Sequence, residues 1–236
     1  MCIKRNKKKK KTTITAKKEL IARNIKIQNN CGFTIWPGWQ GQSGTPNGGG
    51  TTLSAGQSYN LGVPDNWTGG RIWARTGCDG NFNCETGGCG NSEQCNGQWG
   101  ETGVTLAEFG LNKWQNLDFY DVSLVDGFNL LTTIKPEGGE GDCKEIGKCN
   151  GNLLDECPND LKVVKNGKIV ECQSACTKLR KEEFCCTGSH GSADSCGPTN
   201  YSRFFKDRCP QDYSYAFDDS SSTFTCRGSN YVVTFC

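Results

Sequence analysis

Carboxylates recur among apolar residues in two stretches of this 236-residue chain, TLAEF with Glu108 and DFYDVSLVDGFN with Asp121 and Asp126. Cleaving a glycosidic bond needs that pair of groups: one carboxyl to protonate the leaving oxygen, and a second as nucleophile or water base. Trp73, Phe119, Tyr120 and Phe128 lie near them in sequence and could stack on sugar faces, although aromatics at such spacing most often serve the core. The plainer alternative is that Asp in a turn and Glu at a strand edge are solvated or paired with Arg. An acidic cleft can also bind a glycan without cutting it, and carboxylates establish catalysis only with the right spacing and a raised pKa.

Placement adds a constraint. In an unbroken strand Asp121 and Asp126 have opposite parity and would point to opposite faces. If both line one cleft, the chain must bulge or turn between them, and Gly127 makes a turn at Asp126 reasonable. Other chemistry has little support. His190, in GSHGS, is the sole histidine and has no nucleophile motif beside it. There is no phosphate loop or dinucleotide fingerprint, so no cofactor is expected. Asn66-Trp67-Thr68 and Asn200-Tyr201-Ser202 are glycosylation sequons if the chain is secreted.

The elements that would position these residues depend on cysteine. The chain has 17 cysteines, 31 glycines and 34% apolar residues, so turns are many and the core is modest. Gly80 to Cys95 (GNFNCETGGCGNSEQC) has no apolar run of its own and needs crosslinks to hold a shape. Without Cys2, 16 cysteines remain between Cys31 and Cys236, an even number. Their spacings of 5, 6 and 10 residues, and the adjacent pair Cys185–Cys186, do not suit zinc knuckles, so no metal is expected. Eight disulfides and an oxidising, extracellular compartment are expected instead. Spacing alone leaves their connectivity open; a bridge from Cys31 to Cys236 would close most of the chain, for up to about 5 kcal/mol.

Alternating apolar and polar residues predict strands at IKIQNN, FTIWPGW, Thr52–Leu61, Gly70–Thr76, VTLAEFGL, Leu117–Leu131, SSTFTC and NYVVTFC. Residues 136–172 read as irregular, with short helices over Gln173–Cys186 and Asn200–Cys209. Strands at both ends of the chain suggest a mainly β, disulfide-rich sandwich closed by its termini. No apolar run approaches the roughly 18–20 residues that span a bilayer, so a soluble protein is expected.

The net charge of +2 conceals two unlike parts. Residues 1–23 carry ten Lys/Arg and one acid, a charge of +9, so the remainder sums to −7. The tail MCIKRNKKKKKTTITAKKEL reads as disordered over residues 1–22 and, without an apolar stretch, not as a signal peptide. A nuclear signal, a nucleic-acid arm and a leftover leader are its alternatives, and the leader is preferred. Sixteen cysteines argue against an intracellular nucleic-acid binder.

CETGGCGNSEQC resembles the signature of the thaumatin-like proteins, the pathogenesis-related-5 class. The resemblance continues through NNCGFTIWPG, GRIWARTGC, VTLAEFGL, DFYDVSLVDGFN, FCCTG, CGPTNYSRFFKDRCP, YSYAFDD and YVVTFC, about residues 23–236. It implies the pairs Cys31–Cys236, Cys78–Cys84, Cys89–Cys95, Cys143–Cys226, Cys149–Cys209, Cys157–Cys172, Cys176–Cys185 and Cys186–Cys196. It also implies a sandwich core (about 23–75, 107–148 and 210–236), a small cystine loop domain (76–106) and a disulfide-rich loop and short-helix second domain (149–209). The chain departs from the family at Gly88, where the signature has Asp, in the short Cys78–Cys84 loop, and at Thr102-Gly103, where Pro-Pro is usual.

The resemblance places an Arg, a Glu and three Asp along a cleft. By motif these are Arg71, Glu108, Asp121, Asp126 and Asp218, with Glu108 as general acid, Asp126 or Asp121 as its partner, and Arg71 shaping the field. Asp218, Phe119, Tyr120 and Phe128 are the further substrate-binding candidates. The function implied is that of a secreted, antifungal-type defence protein, a monomer binding β-1,3-glucan or another cell-wall polysaccharide, with weak endo-glucanase activity as an added expectation. A non-catalytic defence protein acting on proteins or membranes is the alternative, and no nucleic acid is expected as partner.

Overall fold

The computed structural model describes residues 22–236. The basic segment 1–22 with Cys2 lies, apart from the backbone of Ala22, outside the described residues. Twelve strands are described: β1 (Ala22–Asn29), β2 (Trp36–Gln40), β3 (Ser58–Pro64), β4 (Gly70–Arg75), β5 (Leu106–Gly110), β6 (Asp118–Ser123), β7 (Gly127–Phe128), β8 (Thr132–Glu137), β9 (Lys162–Lys165), β10 (Lys168–Gln173), β11 (Phe224–Cys226) and β12 (Asn230–Phe235). A four-stranded sheet runs β3-β1-β12-β8 and a five-stranded sheet β11-β6-β5-β4-β2.

Each sheet sends alternate residues into one core. Ile25 and Ile27 of β1, Leu61 and Val63 of β3, and Tyr231, Val233 and Phe235 of β12 meet Ile72 and Ala74 of β4, Ala107 and Phe109 of β5, and Tyr120 and Val122 of β6. That period of two is what a half-buried strand requires, and two sheets sharing one core make a sandwich. The two ends of the chain close it. β1 and β12 pair in parallel, Ile25 opposite Tyr231, and Cys31 is bonded to Cys236 across 205 residues of sequence.

The other seven disulfides are Cys78–Cys84, Cys89–Cys95, Cys143–Cys226, Cys149–Cys209, Cys157–Cys172, Cys176–Cys185 and Cys186–Cys196. They supplement two smaller apolar clusters. One joins Leu124, Phe128, Leu153, Leu161 and Phe205 around the Cys157–Cys172 and Cys149–Cys209 bridges. The other packs Trp73, Val104 and Leu106 on Cys89–Cys95.

Two local expectations change. Residues 136–172 are not irregular throughout: β9 and β10 form a hairpin that pairs with β7 in a three-stranded sheet. Its turn is Asn166-Gly167, both at positive φ (51° and 75°), the backbone that a tight two-residue hairpin demands. The helix expected over Gln173–Cys186 is two, α1 (Ala175–Leu179) and α2 (Glu182–Cys185), divided at Arg180, which turns left-handed with φ 53°. Ser174 caps α1 by accepting from Thr177 N–H. The helix at Asn200 forms as α3 (Asn200–Arg208), capped by a reciprocal Thr199–Ser202 box. The short helix α4 (Asp219–Ser222) precedes β11.

Candidate functional site

Strand register alone brings three of the five expected residues together. In the five-stranded sheet Gln40 lies opposite Arg71, Arg71 opposite Glu108, and Glu108 opposite Asp121. Directly opposed residues share a face, so a polar row crosses β2, β4, β5 and β6, while Ile72, Ala107 and Tyr120 point into the core behind it. The Arg71 guanidinium donates from Nε to Glu108 Oε1 at 2.6 Å. It also lies 5.4 Å from the centre of the Trp99 ring, a cation–π contact.

Asp126 reaches the row because the chain breaks. β6 ends at Ser123 and β7 resumes at Gly127, with Asp126 in the bend and its carbonyl accepting from Ser174 N–H at 3.2 Å. Gly127 has φ +140°, and a Cβ there would stand 2.8 Å from the Cys172 carbonyl oxygen. Only glycine fits that crossing.

A cleft of about 350 Å³ opens over these groups, lined among others by Arg71, Glu108, Asp121, Asp126, Tyr213 and Asp219. On the other side of the Arg71–Glu108–Asp121 row a second lobe, also of about 350 Å³, is bounded by Gln42, Trp99 and Phe119. The acidic row is therefore the floor between two lobes.

Burial sets the charges. Asp121 is pushed well above the usual carboxylate range by desolvation, then by the neighbouring Glu108 charge, with Arg71 opposing. Its Oδ1 is buried and has no hydrogen-bond partner. Burial also raises Glu108, but the Arg71 ion pair works against that shift. Both are raised, Asp121 further than Glu108, and Arg71 opposes the shift at each. Asp126 is raised by burial, with Arg71 opposing. Tyr213 donates its hydroxyl to Asp219 Oδ1 at 2.7 Å and is hydrogen-bonded to Thr223. Burial raises its phenol.

Phe119 lines the second lobe. Four other expected contacts lie elsewhere. Tyr120 is fully buried and donates its hydroxyl to the Lys144 carbonyl at 2.6 Å, because its parity in β6 is opposite to that of Asp121. Phe128 is buried in the second apolar cluster. Asp218 is buried, accepts from Ser214 N–H and Oγ–H, and pairs with Lys206 at 2.9 Å, so its carboxylate braces the loop before β11 while Asp219 borders the cleft. Trp73 fills the third cluster and donates to the Gly87 carbonyl at 2.8 Å.

Sequence reasoning missed Trp99, Tyr213 and Asp219. Trp99 sits in a polar loop without periodicity. Tyr213 joins the site by bridging to β6, its N–H donating to Val122 O and its carbonyl accepting from Leu124 N–H. Nothing local to either stretch signals that placement. Asn66 and Asn200 of the sequons are both exposed. His190 Nδ1 is 3.0 Å from Ser189 Oγ, but it is the serine that contacts Glu182, the reverse of the order in a nucleophilic triad. Among the described residues one cluster has the spacing of metal ligands, Cys149, Cys209 and Asp212, and its two sulfurs are joined in a disulfide. No helix among the described residues is long and apolar enough to cross a membrane.

Residues 29–236 match the model of the thaumatin family. The chain belongs to that family. It is 47% identical over 228 residues to pathogenesis-related protein 5 of Arabidopsis thaliana, covering 94% of each chain. It is 43% identical over 224 residues to a Prunus avium protein named glucan endo-1,3-beta-glucosidase, covering 91% of each. Among solved structures, a laminaripentaose-producing β-1,3-glucanase in complex with laminaritetraose shares the fold, with a TM-score of 0.62 at 12% identity over 90% of this chain and 98% of the other.

Proposed function

We propose that this chain is a secreted, antifungal-type defence protein that binds β-1,3-glucan in the two-lobed acidic cleft. The observation that carries the reading is the row Arg71–Glu108–Asp121 on the cleft floor with Asp126 beside it. A 43% identical relative whose name is that of a β-1,3-glucanase supports the glycan class. Exposed Trp99 and half-buried Phe119 offer apolar faces on which pyranose rings stack, and the row supplies acceptors for their hydroxyls. Eight disulfides suit an oxidising exterior.

The charge pattern refines the expected chemistry. Asp121, raised further than Glu108, takes the general-acid role in this reading, with Asp126 as base or nucleophile. The neighbouring Glu108 charge favours the protonated form of Asp121, which opposes delivery of that proton to a glycosidic oxygen. Binding is therefore the main activity and hydrolysis slow. The chain acts as a monomer without a cofactor, and its acidic folded part disfavours nucleic acid.

The test is sedimentation with insoluble β-1,3-glucan, followed by assay of reducing sugar in the supernatant. Wild type is retained; Glu108→Gln and Asp126→Asn are each retained about 10-fold less at equal ligand. Equal retention of all three proteins overturns the assignment of the cleft. Retention without sugar release leaves binding as the whole activity.

A further inference from the structure

A second concavity shares no lining residue with the acidic cleft. It encloses about 600 Å³ and is walled by Phe33, Trp36, Leu130, Leu154, Ile169 and Val170. A neighbouring hollow of about 400 Å³ shares Leu130 and Leu154 and runs on along Leu131 and Leu153. The two make one elongated apolar groove between the start of β2 and strand β10. Its size is that of small-molecule sites. Phe33, at its mouth, is 50% exposed.

The polar groups at the groove decide what it takes. The Asn129 side-chain amide donates to Ala74 O and Thr86 Oγ1, and its carbonyl accepts from the N–H groups of Thr105 and Leu130. The Thr76 hydroxyl is bonded to that of Thr86. Glu85 takes the Asn166 amide at 3.3 Å on its carboxylate, and Lys165 donates to its backbone carbonyl at 2.6 Å. Lys168 also lines the groove, and its ammonium has no hydrogen-bond or ion-pair partner among the described residues. A sugar would find few free donors and acceptors here. An apolar chain finds a continuous wall, and the uncommitted charge at its edge is positive.

We propose that this groove binds an amphipathic molecule of the class of a long-chain carboxylate, its tail along Phe33, Trp36, Leu130 and Leu154 and its anionic head on Lys168. Such a ligand gains by burying its chain and by a charge-assisted contact at the rim. Glu85 beside the same rim disfavours a head of more than one negative charge.

Titration calorimetry of the full, disulfide-bonded chain tests this with laurate, dodecylammonium and butyrate, all below the concentrations at which they form micelles. Laurate binds saturably with a negative heat-capacity change, dodecylammonium at least about 10-fold more weakly, and butyrate not at all. Lys168→Glu, an exposed change that leaves the thermal midpoint in place, weakens laurate about 10-fold or more and narrows the preference over dodecylammonium. Ile169→Asp removes binding; if that variant does not fold, the Lys168→Glu arm decides. Absence of saturable laurate binding overturns the proposal, as does equal affinity for laurate and dodecylammonium. Laurate affinity unchanged by Lys168→Glu removes the assigned head site and overturns it as well.

Discussion

Between Thr76 and Thr105 the chain has no regular strand, only an isolated bridge between Thr76 and Thr86, whereas the acidic row beside it rests on four adjoining strands. The loop segment is held by side chains. Fully buried Arg75 donates to the carbonyls of Trp36 (2.8 Å), Ser92 (3.1 Å) and Glu93 (2.5 Å), and burial pushes its guanidinium down to about 10. Asn129 ties Ala74, Thr86, Thr105 and Leu130 together, and the Cys78–Cys84 and Cys89–Cys95 bridges close two short loops. In the acidic row the backbone ladder sets the geometry and the side chains are free to be chosen for charge. One region fixes backbone with buried polar groups; the other fixes polar groups with backbone.

That contrast predicts where damage is large. Asn129→Ala leaves several buried backbone groups without partners, each worth about 1–3 kcal/mol, so a loss of about 3 kcal/mol or more is expected. It should be read from urea unfolding as a lower midpoint at unchanged slope. Gln40→Ala, at the end of the acidic row, should cost no more than about 0.5 kcal/mol. Similar small losses from both would mean that the disulfides, not Asn129, hold the loop segment.

The same contrast explains what the sequence could reveal. The sandwich was legible because Ile25/Ile27, Ala107/Phe109 and Tyr231/Val233 repeat with the period of a strand. The β9–β10 hairpin carried an Asn-Gly turn between KVV and KIV, yet a setting of glycine and cysteine masked it. Of the cleft, Glu108, Asp121 and Asp126 stood out as carboxylates among apolar residues, while Arg71 and the grouping of all four came from family resemblance. Their adjacency is a matter of register between strands 37 and 13 residues apart, which no local pattern encodes. Tyr120 faces the core because it is one position from Asp121 in β6, and Asp218 is turned from the cleft by its bonds to Ser214 and Lys206 at the start of α4. Trp99 lies in the loop segment, whose shape depends on bonds to Arg75 and Asn129 that periodicity cannot show. The departure at Thr102-Gly103 is now explained, since Gly103 has φ +105°, closed to proline, and a Cβ there would meet the Glu171 carboxylate at 2.5 Å.

A substitution inside the row should act through charge rather than packing. Because Asp121 is raised in the folded state, its tighter hold on a proton stabilises the native form fully below about pH 4, and that contribution is lost as pH rises through the raised value. Asp121→Asn removes its share of the dependence, leaving that of Glu108 and Asp126. Its thermal midpoint should gain on wild type as pH rises from 4 to 8, the direction that a raised folded-state value requires. Parallel curves for the two proteins would show that Asp121 is not the proton holder. Trp99→Ala should leave stability within about 0.5 kcal/mol and weaken glucan retention about 3- to 10-fold, the size of a lost stacking contact. A large stability loss instead would make Trp99 part of the frame.

The smallest effect is expected at Gly88, where the family signature has Asp. Gly88 is not held at positive φ, and a Cβ there would have the Glu101 carboxylate as its nearest neighbour at 3.6 Å, so a side chain fits. What an aspartate would meet is charge. Gly88→Asp sets two carboxylates side by side on an exposed loop, where such pairs are worth about 0–1 kcal/mol and are screened by salt. A loss of about 0.5 kcal/mol is expected in dilute buffer, shrinking in 0.5 M salt and removed by adding Glu101→Gln. A loss that ignores both salt and Glu101→Gln would place the cost in the backbone, and the loop segment would then be tighter than its open surface implies. A gain would mean that aspartate finds a donor there, and that glycine at this position trades stability of the loop for something else.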